Sequence, residues 1–237
     1  MRRLAAWLAL ACAVGAQAQQ QQDPATVPSF KELDSMEARV QGCVTCHGQQ
    51  GQGTANEYFP RIAGKPAAYL RRQLIAFRDL DRRYAPMNYL VAFLTDEYLG
   101  EIAEYFAKQN PEFHPPQPAT VPPDVLERGR LLVQNGDGSK QIPACVACHG
   151  TSLTGMEPGI PGLVGLRTNY IAAQLTRWRT GERKALAPDC MHRIATRLTE
   201  ADIHGVSAWL GALPAPQRPQ PDKADNRRMP MACGSQS

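Results

Sequence analysis

The apolar positions of the chain fall into short stripes with helical spacing. Leu70, Leu74 and Phe77 form one; Leu99, Ile102, Ala103 and Phe106 form a second, at i, i+3, i+4 and i+7; Ile203, Val206 and Leu210 form a third. Residues so spaced share one face of an α-helix. Thr95 and Thr199 stand before the second and third stripes, followed by acids in the first turn, Asp96 with Glu97 and Glu200 with Asp202. A hydroxyl at that place accepts from the free N–H groups of the helix start, and the carboxylates meet the positive end of its dipole. Alternating β-branched runs are absent, so the pattern predicts an all-α fold with no substantial sheet.

The pattern occurs twice. Cys43-Val44-Thr45-Cys46-His47-Gly48 matches Cys145-Val146-Ala147-Cys148-His149-Gly150 at an offset of 102, and Phe59-Pro60-Arg61-Ile62-Ala63-Gly64 matches Ile160-Pro161-Gly162-Leu163-Val164-Gly165 at 101. At the same offset Tyr69, Gln73, Leu74, Arg78 and Arg82 fall on Tyr170, Gln174, Leu175, Arg179 and Arg183, while Met87 and Leu94-Thr95 meet Met191 and Leu198-Thr199 at 104. Matches in this order identify a duplicated domain.

Prolines punctuate the two copies. Residues 109–123 hold six prolines in fifteen positions, the composition of a semi-rigid linker. The expected domains are therefore 19–108 and 124–213, with a proline-rich tail over 214–237. Ahead of them, Arg2 and Arg3, the apolar run Leu4 to Val14 and Ala16-Gln17-Ala18 form a signal peptide over 1–18, cleaved after Ala18. An uncleaved anchor and a lipid on Cys12 are the alternatives. The run is shorter than the roughly 20 residues that span a bilayer, so the expected location is the periplasm, where disulfides persist.

Without the leader arginines the net charge falls from +4 to +2, which removes the electrostatic footprint of nucleic-acid binding. The charge is uneven: residues 19–118 carry 10 basic and 12 acidic groups, residues 119–237 carry 14 and 10. Such a dipole orients a docking partner more than it adds affinity.

Each copy, with two or three short helices, has a thin core, and its Cys-x-x-Cys-His motif names what else holds it. The two thiols of such a motif add to the vinyl groups of a haem, and the histidine that follows ligates the iron. A thioredoxin-type pair would need a strand before it, and a zinc site a fourth ligand at finger spacing. Cys43, Cys46, Cys145 and Cys148 are thus expected to attach two covalent c-type haems, with His47 and His149 as axial ligands. Met87 lies 40 residues after His47 and Met191 lies 42 after His149, each just before the last helix. Their soft thioethers suit the sixth position and raise the potential. His192 and Met156 compete with Met191.

Of the seven cysteines, four are then on haem and Cys12 is in the leader. Cys190 and Cys233 remain, and in an oxidising compartment a disulfide between them is expected, two free thiols being the alternative.

These residues together resemble the cytochrome c4 family, two tandem class I cytochrome c domains; the likeness covers about residues 36 to 211. It implies an electron carrier with the haems facing one another across a pseudo-twofold interface. Pro60 and Pro161 would then offer carbonyls to the ring N–H groups of His47 and His149, and Arg78 with Arg179, or Tyr69 with Tyr170, would bind haem propionates. The implied partners are redox proteins (a dehydrogenase, a cytochrome complex or a terminal oxidase), with peripheral association with a membrane complex. The short segment before Cys43, the long tail and Cys190 with Cys233 depart from the family pattern. A two-haem peroxidase, with one open iron, is the enzymatic rival, and a subunit of a larger dehydrogenase complex is a third reading.

Overall fold

The computed structural model describes residues 32–56, 58–224 and 229–236. Cys12 and the cleavage site after Ala18 lie outside the described residues.

The first half builds α1 (Met36–Arg39), α2 (Gln41–His47), α3 (Ala67–Arg78), α4 (Ala85–Val91) and α5 (Asp96–Ala107). The second builds α6 (Pro123–Asn135), α7 (Val146–His149), α8 (Thr168–Arg179), α9 (Cys190–Ala195) and α10 (Glu200–Gly211). Helices α3 and α8 begin and end on residues 101 apart, and α5 and α10 on residues 104 apart, as the duplication requires. The only sheet among the described residues joins the two-residue strands β1 (Gly155–Met156) and β2 (Ile160–Pro161), antiparallel, with Gly155 opposite Pro161.

The three apolar stripes face inward. Leu70, Ile102, Ala103 and Phe106 pack with Val40 and Val44, while Phe77 and Leu99 pack with Val91; half-buried Leu74 touches both groups. In the second half Ile203, Val206 and Leu210 join Leu132, Val133, Ile171 and Leu175. Each such side chain contributes about 1.5–3 kcal/mol through the water it leaves. The longer N-terminal helix of this half, α6, crosses α10 at bare backbone: a Cβ on Gly129 would stand 2.1 Å from the carbonyl oxygen of Gly205, so only glycine permits this approach. Both predicted caps are present. Thr95 accepts from the N–H of Tyr98, and Thr199 accepts from that of Asp202, whose carboxylate accepts in turn from the N–H of Thr199, a complete capping box.

The linker is pinned by both halves. Arg61 donates to the carbonyls of Pro111 and Glu112 at 2.8 and 3.0 Å and stacks 3.9 Å from the Phe113 ring. From the second half Arg167 donates to Pro115. The tail folds back as well: backbone hydrogen bonds join Asp222 to Gly155 and Glu157, and Cys233 is disulfide-bonded to Cys190, their Cα atoms 5.0 Å apart. The halves share one compact unit.

Candidate functional site

Each Cys-x-x-Cys-His motif ends a helical turn that a positive-φ glycine terminates, Gly48 at +83° and Gly150 at +84°. The turn brings both thiols and the imidazole to one place. His47 and His149 are each only 8% exposed. The carbonyl of Pro60 accepts from Nδ1 of His47 at 2.9 Å, and that of Pro161 from Nδ1 of His149 at 2.7 Å, the pair that the resemblance implied. A proton fixed on Nδ1 leaves the Nε2 lone pair free for a metal. Burial pushes the His149 imidazole down to about 4, so it is neutral at neutral pH. Burial also pushes the Cys43 and Cys145 thiols up, to about 11 and about 12. A redox-active pair needs a lowered thiol, and no three His, Cys, Asp or Glu side chains converge as a metal site among the described residues.

In the second half the motif opens onto a cleft with about 1440 Å³ of empty space, part of it open to solvent. Cys145, Cys148, His149 and Met191 all line it, with Leu163, Ile171, Leu175 and Trp178 among the walls. His192 is turned away, its Nδ1 2.7 Å from the carbonyl of Trp178. Met156 is buried in β1 and is not part of the cleft lining. In the first half Met87 packs on the Phe77, Val91 and Leu99 cluster. A chain of edge-to-face rings links His47 to its helix: Phe59 lies 6.1 Å from His47, Tyr58 4.8 Å from Phe59, and Tyr84, at the start of α4, 6.2 Å from Tyr58. His114 bonds to Gly53 in the linker region, and His204 is exposed on α10.

The halves meet through a symmetric set of side chains. Arg82 donates to Gln73, Gln174 and the hydroxyl of Tyr170; Arg183 donates to Gln174, Gln73 and the hydroxyl of Tyr69. Exchanging each residue for its duplicate turns one list into the other. Both guanidinium groups are buried, at 8% and 3% exposure. Burial pushes Arg183 down to about 10. Tyr170 feels burial pushing up and the two arginines pulling down, and the arginines prevail. Of the arginines expected from the resemblance, Arg78 is engaged by Asp79 and Asp96, and Arg179 is half-exposed; the tyrosines do stand at the interface. The buried pair, Arg82 and Arg183, was visible in the sequence only as a repeated match, because a lone arginine carries no periodic signal.

Do these residues fit a haem? A buried cation without an anion is costly, yet the bonded partners of Arg82 and Arg183 are amide and phenol oxygens. Arg82 Nε and Trp178 Nε1 are buried donors with no partner. An apolar cleft with two thiols at its histidine end, and unsatisfied donors beside paired cations, suits a flat apolar macrocycle that carries carboxylates. Lys65 adds a third buried cation, donating to the carbonyl of Gly162 at 2.7 Å.

No family model matches the chain. It is 36% identical to the thiosulfate dehydrogenase electron acceptor of Thiomonas intermedia over 73% of its own length and 78% of that protein's. It is 32% identical to cytochrome c4 of Pseudomonas aeruginosa over 75% of its length and 86% of that protein's. Its fold is similar to crystalline cytochrome c4 from Pseudomonas stutzeri, with a TM-score of 0.65 and 29% identity over 75% of this chain and 96% of the other. Coverage of this extent and identity, on a duplicated helical fold with two Cys-x-x-Cys-His motifs, is decisive: the chain belongs to the cytochrome c4 family, two-domain electron-transfer proteins with two covalent c-type haems.

Proposed function

We propose that Cys43 and Cys46 would attach one haem and Cys145 and Cys148 the other, with His47 and Met87, and His149 and Met191, as the residues that would hold the irons. The proposed domains are 19–108 and 124–213, joined by the linker 109–123, in a protein exported to the periplasm after cleavage behind Ala18. The observation that carries this reading is the second-half cleft, which gathers Cys145, Cys148, His149 and Met191 on its lining. No helix among the described residues is long and apolar enough to cross a membrane. The proposed electron donor is a thiosulfate dehydrogenase, the partner named for the relative from Thiomonas intermedia; the acceptor is a redox protein of a membrane-associated complex.

The haems, when bound, supply one-electron redox chemistry. The chain's own residues set the conditions for it. The carbonyls of Pro60 and Pro161 hold the imidazole rings in one tautomer and orientation, so no ring turn accompanies a change of charge. The thioethers of Met87 and Met191, as ligands of the iron, would favour its reduced state and thus raise its potential. Arg82 and Arg183, each bonded to side chains of both halves, hold the two domains in one mutual orientation and place positive charge between the sites. Electron exchange between the domains then needs little rearrangement of protein.

The test is Met191→Ala. The variant is expected to retain both haems by mass, to lose the far-red absorption of methionine-ligated ferric haem at one haem of two, and to lower one potential in a redox titration. Two unchanged potentials would refute the assignment.

A further inference from the structure

The tail after residue 213 has no counterpart in the first half, and it is seated on the second-half cleft. Met229, Met231, Cys233 and Ser235 line that cleft together with His149 and Met191. The N–H of Gly234 donates to the carbonyl of Pro188 at 3.0 Å. Arg72, from α3 of the first half, donates at once to the carbonyl of Ser235 at 2.9 Å and to that of Gly159 at 3.0 Å. The strongest anchor is the disulfide, because Cys190 directly precedes Met191. One covalent bond therefore fixes both the cover and the start of the segment that carries the proposed ligand. At the duplicated position in the first half stands Pro86.

We propose that the tail is a latched cover: the Cys190–Cys233 disulfide keeps it over the second-half cleft, and a dithiol that reduces this bond converts the second domain from a closed electron-transfer centre into one that admits a small neutral ligand. This rests on the reading that Met191 is the axial ligand. Both cysteines are half-buried and residues 186–188 beside them are exposed, so a dithiol reaches the bond. One thiolate of the reagent attacks a sulfur to form a mixed disulfide, and its second thiol displaces the protein. Two electrons and two protons pass to the cysteines, which become thiols, and the reagent leaves as its cyclic disulfide. The tail then keeps its hydrogen bonds and its methionines on the cleft but loses its covalent tie, and the Met191 segment loses its tether.

The experiment follows imidazole binding to the oxidised holoprotein by absorption. Untreated protein is expected to yield no alkylatable thiol when denatured and to bind imidazole slowly at both haems. A second sample is treated with dithiothreitol, alkylated with iodoacetamide, freed of reagents and reoxidised with ferricyanide. It is expected to carry two alkylated cysteines and to bind imidazole about tenfold faster at one haem of two, a change equal to about 1.4 kcal/mol of lost closure. Cys233→Ser should do the same without reagents. Gly234→Ala retains both cysteines but sets a methyl group 2.5 Å from the carbonyl oxygens of Leu186 and Ala187, and should also accelerate binding. Two alkylated cysteines with an unchanged rate in every preparation would overturn the cover and leave the Met191 ligation standing. Rapid binding at the second-half haem of the untreated protein would overturn both. Two free thiols in the untreated protein would overturn the latch.

Discussion

Helices α4 and α9 occupy matching places, each with a methionine at the matching position, yet they meet solvent differently. On α4 and the turn after it Tyr89, Leu90 and Phe93 are exposed, Phe93 at 94%; the matching positions hold Arg193, Ile194 and Arg197. No residue from 84 to 95 is charged. The inward positions agree instead: Leu94 with Leu198, Leu99 with Ile203, Ile102 with Val206, Phe106 with Leu210, all apolar. Packing and the demands of the cofactor hold the inside to one pattern, whereas surface positions are nearly free in energy. The two halves thus share most of one interior and differ over their surfaces.

That contrast can be broken at its core. Phe106→Ala and Leu210→Ala remove matched side chains, each 2% exposed, and should cost about 4 and about 3 kcal/mol in denaturant unfolding. If the halves unfold as a unit, both variants show one transition with a lower midpoint. Separate transitions would show that the halves are energetically independent.

At the interface, Arg183→Ala and Arg82→Ala should each cost about 2 kcal/mol. Gln73 and Gln174 each accept from both arginines, so either arginine alone keeps both amide oxygens satisfied. The double variant should therefore lose more than the sum, which a double-mutant cycle measures.

Lys65 sharpens the asymmetry, since its counterpart is Leu166. Burial, and then the charge of Arg61, push its ammonium group down to about 7 from the ordinary 10.5. Between those values the unfolded chain binds more protons than the folded one, so stability rises with pH across the window, and below about 7 the penalty is present in full. Lys65→Met should flatten this slope and raise stability at pH 6 by about 1–2 kcal/mol, as denaturant midpoints taken across that pH range will show.

The smallest effect concerns Ser207, buried with no partner for its hydroxyl, where the first half has Ala103. Ser207→Ala should stabilise by about 1 kcal/mol, and a loss in thermal unfolding would show that the hydroxyl has a partner after all.

Much of this was readable from the sequence because it is periodic or repeated. The stripes, the threonine caps, the duplicated motifs and the Cys190–Cys233 pairing by elimination all have counterparts in the structure. What was missed has long reach and no period. Arg61, Lys65 and Arg72 look like surface charges in sequence, but their apolar stems carry the charged ends to backbone carbonyls 50 to 163 positions away. The expected Cys190–Cys233 pairing already brings the tail back beside Met191, but only the structure seats Met229 and Met231 on the cleft.

The exchange symmetry of Arg82 with Gln174 and Tyr170, and of Arg183 with Gln73 and Tyr69, is the arrangement of an isologous homodimer. A single-domain ancestor bearing one arginine, one glutamine and one tyrosine at these places would already possess every contact of the set. Joined through the linker, the two halves meet at a fixed effective concentration, where two separate copies would associate in a concentration-dependent way. Halves joined in one chain need not be identical copies, and here one carries a tail and a disulfide that the other lacks.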